Sequence, residues 1–121
     1  MKENHPTNRE RLHALLDVLG YFYMAYGKPE RARDYFRLLV KLRPSDSRLL
    51  RSLAKSELEA GNPEAARVML EESLNMSMGQ QERAATFLLL SRTLLRLERF
   101  EDSASAVTEF MKAVQSPLRG D

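Results

Sequence analysis

The sequence predicts an all-helical chain of three tandem helix hairpins, on three observations. The first is an internal repeat. An offset of 34 residues lays Leu16 on Leu50, Leu19 on Leu53, Gly27 on Gly61, Pro29 on Pro63, Glu30 on Glu64, Ala32 on Ala66 and Arg33 on Arg67. Between these identities Gly20 meets Ala54 and Phe36 meets Leu70. A further offset of 37 lays Leu53 on Leu90, Ala54 on Ser91 and Leu70 on Val107, the three extra residues fitting a longer turn over 77–81. The second is apolar spacing at three and four residues throughout, which is helical. The third is the placement of single glycines and prolines between the apolar runs, where helices stop and start.

The elements follow in order. Thr7 and Glu10 have the Thr-x-x-Glu form of a capping box, so a helix starts there. Leu12, Leu15, Leu16, Leu19, Tyr23 and Tyr26 then form one stripe. Gly27 stops that helix, and Pro29 opens the next at its first position, where a missing N–H costs nothing. Ala32, Phe36, Leu39 and Val40 line the second helix, which ends at Pro44. The second unit repeats the plan, with Gly61 as stop, Asn62 as cap and Pro63 as start. Helices are expected at about 8–26, 29–42, 46–60, 63–76, 82–97 and 100–115. They make one domain over 8–116, with repeats at about 13–46, 47–80 and 84–116, a disordered leader over 1–7 and a frayed tail over 117–121. Small residues mark the expected helix crossings: Gly20, Ala54 and Ser91 on the first helices, facing Ala32, Ala66 and Ser103 on the second.

Composition narrows the function classes. Nineteen basic and 17 acidic residues leave a net charge of +2, read as a mixed-sign helix surface. There is no cysteine, so disulfides and thiolate metal sites are excluded. No apolar run reaches the roughly 18 residues of a membrane span. The polar start of the chain lacks the apolar core of a signal peptide, so a cytoplasmic location is expected. His5 and His13 have no ligand partners at metal-binding spacing and are expected to face solvent. Gly27 and Gly61 are isolated stops rather than a phosphate loop, and Ser91 is explained by packing. No catalytic residue, metal or cofactor is expected.

Leu19-Gly20, Tyr23, Ala32, Phe36 and Pro44 resemble the signature of the tetratricopeptide repeat, and the resemblance runs from about residue 13 to 116. It implies a short right-handed superhelical array that binds other proteins. Gly20-Tyr21, Gly27 with Glu30-Arg31-Ala32, Leu42-Arg43-Pro44, Gly61 and Leu90-Ser91-Arg92 further resemble the YscY-type chaperones of bacterial type III secretion. That likeness implies a chaperone that holds a small early-secreted export protein and associates with the export gate. Met78 departs from the repeat, which usually has proline there.

Two surfaces are candidates for a partner. The first helix is apolar beyond its own stripe, at Val18, Tyr21, Phe22, Met24 and Ala25. Either the second unit covers this extra face or a partner does, and aromatic and Met residues suit an interface. The last helix has one stripe, Phe100, Ala104, Val107, Met111 and Val114, and reads as closing its end of the stack. The family resemblance places Asp17, Tyr21 and Met24, then Arg48, Arg51, Lys55 and Leu58, then Leu88, Arg92 and Leu95, with Arg96 beside them, along a concave groove. These five cations among apolar residues are either a solvated face or a carboxylate-binding one. The expected occupant is a helix or an extended segment of a protein, and the free chain is expected to self-associate. The rivals are a scaffold subunit of an unrelated complex and a nucleic-acid binder using Arg48, Arg51, Lys55, Arg92 and Arg96 on phosphates. Tyr21 alone could stack on a base there, which counts against the second rival.

Overall fold

The computed structural model describes residues 5–115. Among them the chain forms six helices and no strand: α1 (Asn8–Ala25), α2 (Pro29–Leu42), α3 (Ser47–Glu59), α4 (Pro63–Ser73), α5 (Gln80–Arg96) and α6 (Phe100–Gln115). The leader expected at 1–7 lies partly outside the described residues, and the tail expected at 117–121 lies wholly outside them.

Local chemistry sets the ends of these helices. The Thr7 hydroxyl accepts from the Glu10 N–H at 3.1 Å, and the Glu10 carboxylate accepts from the Thr7 N–H at 2.8 Å. The Asp46 carboxylate accepts from the N–H groups of Arg48 and Leu49 and starts α3. Pro29 and Pro63 each occupy the first turn of their helix. Gly27 and Gly61 take positive φ values of 71° and 91°, which glycine adopts without a Cβ penalty. At the third such turn Glu98 takes φ 60° instead. α4 stops at Ser73, short of the expected 76. The Ser73 hydroxyl turns back on the Leu70 carbonyl at 2.8 Å.

The helices pair as hairpins α1–α2, α3–α4 and α5–α6, and the hairpins join through α2 on α3 and α4 on α5. One buried cluster holds Leu16, Ala32, Phe36, Leu39, Leu49 and Leu53. The other holds Ala54, Leu58, Ala66, Leu70, Leu89, Leu90, Leu94 and Ala106. All six small residues read as helix crossings are buried. At Ser103 the hydroxyl donates to the Ser91 carbonyl at 2.8 Å, so that crossing carries a hydrogen bond as well as close packing. At Gly20 the nearest neighbour is the ring of Phe36 rather than Ala32. A Cβ there would lie 2.6 Å from the Phe36 Cζ.

One expectation about packing is overturned. The apolar stripe of α6 does not close the stack: Phe100, Val107, Met111 and Val114 are exposed, and the face turned to α5 is Ser103, Ala106 and Ala113. The reason lies in the repeat itself. Phe36 and Leu70 occupy the position of Val107 in their own hairpins, and each is buried because the first helix of the next hairpin lies over it. Nothing among the described residues follows α6 to do the same.

Candidate partner-binding groove

The first helices α1, α3 and α5 lie side by side along one face. Their facing sides are joined by polar side chains. Between α1 and α3, Arg48 donates to the Asp17 carboxylate at 3.0 Å and to the Tyr21 hydroxyl at 3.1 Å, and the Tyr21 and Ser52 hydroxyls meet at 3.2 Å. Between α3 and α5, Ser47 donates to Glu82 at 3.0 Å, and Arg51 lies 3.5 Å from the Thr86 hydroxyl and 3.9 Å from the Glu82 carboxylate. A cavity of about 300 Å³ opens on this face. Tyr21, Arg48, Arg51, Ser52, Lys55, Ala85, Leu88, Leu89 and Arg92 line it.

The charges of the groove are therefore not alike. Burial works against the charged Arg48 guanidinium, but its hydrogen bond to Asp17 and the charges of Asp17 and Tyr21 outweigh this. Its pKa lies above the ordinary arginine value, and it is fixed as a cation already paired. Arg51 is half-buried beside Glu82 and Thr86, an acidic neighbour on another helix that spacing within α3 does not show. Lys55 and Arg92 are exposed and have no ion-pair partner among the described residues. They line the cavity together with Leu88, which is 44% exposed. The arrangement can receive a segment with apolar side chains on one side and carboxylates beside them.

Of the residues read from the sequence as partner-binding, the structure gathers Tyr21, Arg48, Arg51, Lys55, Leu88 and Arg92 around this cavity. It places others elsewhere. Leu58 is 1% exposed, in the core beneath α4 and α5, so its reading as a groove residue is wrong. The following hairpin covers that slot. Met24 is half-buried against the core cluster. Leu95 and Arg96 are exposed near the end of α5 without lining the cavity, and Val18 is 64% exposed on α1. Leu12, Leu15 and Tyr26, read as part of the packed stripe of α1, are exposed. His13, read as solvent-facing, is half-buried near Glu10, Asp17 and Arg43, and its Nε2 has no partner. Sequence reasoning missed Ser52, Ala85 and Leu89 as groove residues. Ser52 lies at the repeat position of Val18, Ala85 at that of Arg48 and Leu89 at that of Ser52, so the repeat register itself was the available signal.

Among the described residues no helix is long and apolar enough to cross a membrane. No curated protein sequence matches the chain. The family model described as tetratricopeptide repeat matches residues 13–56, from α1 into α3, and with the six-helix hairpin array it points to a protein–protein interaction scaffold.

Proposed function

We propose that this chain is a non-catalytic chaperone that clasps a helix or extended segment of a small export-related protein in the groove between α1, α3 and α5, keeping that partner soluble in the cytoplasm. The observation that carries this reading is that two cations without an ion-pair partner among the described residues, Lys55 and Arg92, line the same cavity as the exposed Leu88. An exposed apolar side chain and unpaired cations in one cavity suit an amphipathic acidic segment. The likeness to YscY-type chaperones supplies the type III secretion setting and makes a small early-secreted protein the expected client. No cofactor, metal or small-molecule substrate enters this reading, and nucleic acid and membrane insertion are not part of it.

The test uses a fluorescent helical peptide with leucines at three- and four-residue spacing and glutamates at the remaining positions, a lysine-for-glutamate control and a mixed-sequence single-stranded RNA. The acidic peptide should bind the wild-type chain and lose roughly tenfold or more in affinity on Lys55→Glu with Arg92→Glu, helix content being unchanged. Co-expression with a small early-secreted export protein should raise that protein's soluble fraction. Tight RNA binding that falls steeply as salt rises would favour the nucleic-acid reading instead. Peptide binding without any effect on the export protein would leave the scaffold reading.

A further inference from the structure

Each junction between hairpins in this chain seats the first helix of one hairpin on the hairpin before it: α3 on α2, and α5 on α4. At the second junction Leu89 and Leu90 of α5 cluster with Leu58 and Leu70, and all four are buried. The repeat register gives each a counterpart at an end of the array. Val18 and Leu19 of α1 correspond to Leu89 and Leu90, and Leu95 and Val107 correspond to Leu58 and Leu70. At the ends three of these slots are open, with Val18 64% exposed, Leu95 55% and Val107 42%, and Leu19 is half-buried. The chain thus presents the two halves of one more junction at its opposite ends.

The side chains at the α1 end are made for burial. Thr86 and Thr93 of α5 are wholly buried in their slots; the α1 counterparts are the larger, apolar Leu15 and Phe22, both about half exposed. Charge matches as well. At the α4–α5 junction Glu64 lies within the field of Arg99. The Arg67 hydrogen bond is the main cause that lowers the Glu64 carboxyl's pKa, burial opposes it, and the charges of Arg67 and Arg99 add to the lowering. The counterparts of Glu64 and Arg99 at the ends are Glu101 and Lys28, neither with an ion-pair partner among the described residues.

We propose that the two ends dock on each other between copies of this chain. In that contact α1 of one copy seats on α5 and α6 of the next, with Val18 and Leu19 against Leu95 and Val107 and Lys28 beside Glu101. The hairpin stack then continues across the boundary. Such a contact uses different surfaces on the two copies, so it does not close into a dimer, and the assembly grows past two copies into a ring or a filament. This inference rests on the repeat register and not on the groove, so it stands whatever the groove binds.

Sedimentation velocity over a wide range of concentration tests it. The wild-type chain should show a mean mass that rises with concentration past that of two copies. Val18→Glu and Val107→Glu should each weaken association roughly tenfold or more, since both put a carboxylate at the centre of the contact. The decisive sample is the equimolar mixture of the two variants. Each retains the half that the other has lost, so the mixture should form a dimer and stop there. Lys28→Glu should weaken association, and Lys28→Glu with Glu101→Lys on the same chain should restore it. Leu95→Glu replaces Val107→Glu if circular dichroism shows that α6 has melted. A wild-type chain that stays monomeric overturns the proposal. So does a mixture that forms no dimer, or a wild-type mass that stops at two. A dimer lost with Val18→Glu but kept with Val107→Glu means α1 pairs with α1, and the reverse means α6 pairs with α6.

Discussion

Gly20 and Phe36 allow the repeat register to be tested against energy. A Cβ on Gly20 would lie 2.6, 2.7 and 2.9 Å from three atoms of the Phe36 ring. Carbon atoms at contact need at least about 3.5 Å, so the ring would have to retreat by most of an ångström. It has nowhere to go: Phe36 is 1% exposed and packs edge-on against Tyr21, with 5.4 Å between ring centres. Overpacking of this kind costs about 1–3 kcal/mol, while a helical Gly→Ala change gains about 1 kcal/mol of propensity. The approach is close, so Gly20→Ala should cost a net 1–2 kcal/mol or about that. Phe36→Leu alone should also cost roughly 1–2 kcal/mol, through lost volume beside a glycine that cannot fill it. The second repeat already holds the answer to both, since Ala54 and Leu70 occupy these two positions there and both are buried. The double variant Gly20→Ala with Phe36→Leu should therefore be more stable than the sum of the single losses predicts, by about 1–2 kcal/mol of coupling. Urea unfolding followed by circular dichroism at the helical band measures all four corners of the cycle. Losses that add to within about 0.5 kcal/mol would refute the reasoning, and so would a Gly20→Ala chain as stable as wild type.

The remaining predictions follow from the same contacts. Ala66→Leu should cost about 1–3 kcal/mol by chemical denaturation, because Ala66 is wholly buried where α3 and α4 cross. Glu98→Gly should stabilise the chain by up to about 1 kcal/mol, since it removes a Cβ from a residue at φ 60°. Glu57→Leu should cost about 1–3 kcal/mol, because the buried carboxylate accepts from Arg37 at 2.8 Å and from Asn62 at 2.9 Å. Glu64 has its carboxyl held down by the Arg67 hydrogen bond first, so its contribution is present above the ordinary carboxylate range and is lost as pH falls through the folded value. The acid-side fall in stability should accordingly be shallower in Glu64→Gln.

The array was legible in the sequence wherever a residue's role is set inside its own hairpin. Gly27, Gly61, Pro29 and Pro63 mark the turns because backbone geometry admits little else there, and the Thr7–Glu10 box starts α1 through bonds that span three residues. Roles set between hairpins were not legible. Met24, Leu58 and Leu95 share one slot in three repeats, yet they are half-buried, buried and exposed in turn, and for Leu95 the reason is that no further hairpin among the described residues covers it. A helical wheel shows that α6 has an apolar stripe and cannot show whether a neighbour lies over it. Here the small residues Ser103, Ala106 and Ala113 make the contact with α5 and the larger ones are left outside. The cations posed the same difficulty. Arg48 and Arg51 look free along their own helix, but their acidic neighbours Asp17 and Glu82 come from helices 31 residues away in each direction.

The polar seams of the groove bear on its mechanics. Hairpin meets hairpin through apolar packing on one side, α2 against α3 and α4 against α5. On the groove side the adjoining first helices hold together through hydroxyls, carboxylates and guanidinium groups. Water can replace each of those bonds at a net cost of about 1 kcal/mol, or roughly 1.5–3 kcal/mol where a charged group takes part, while parting the apolar side would cost far more. The array should thus flex like a strip hinged along its back. The groove can splay by trading seam bonds for water, with the core undisturbed, so a ligand's girth is a soft criterion here and its charge pattern a hard one.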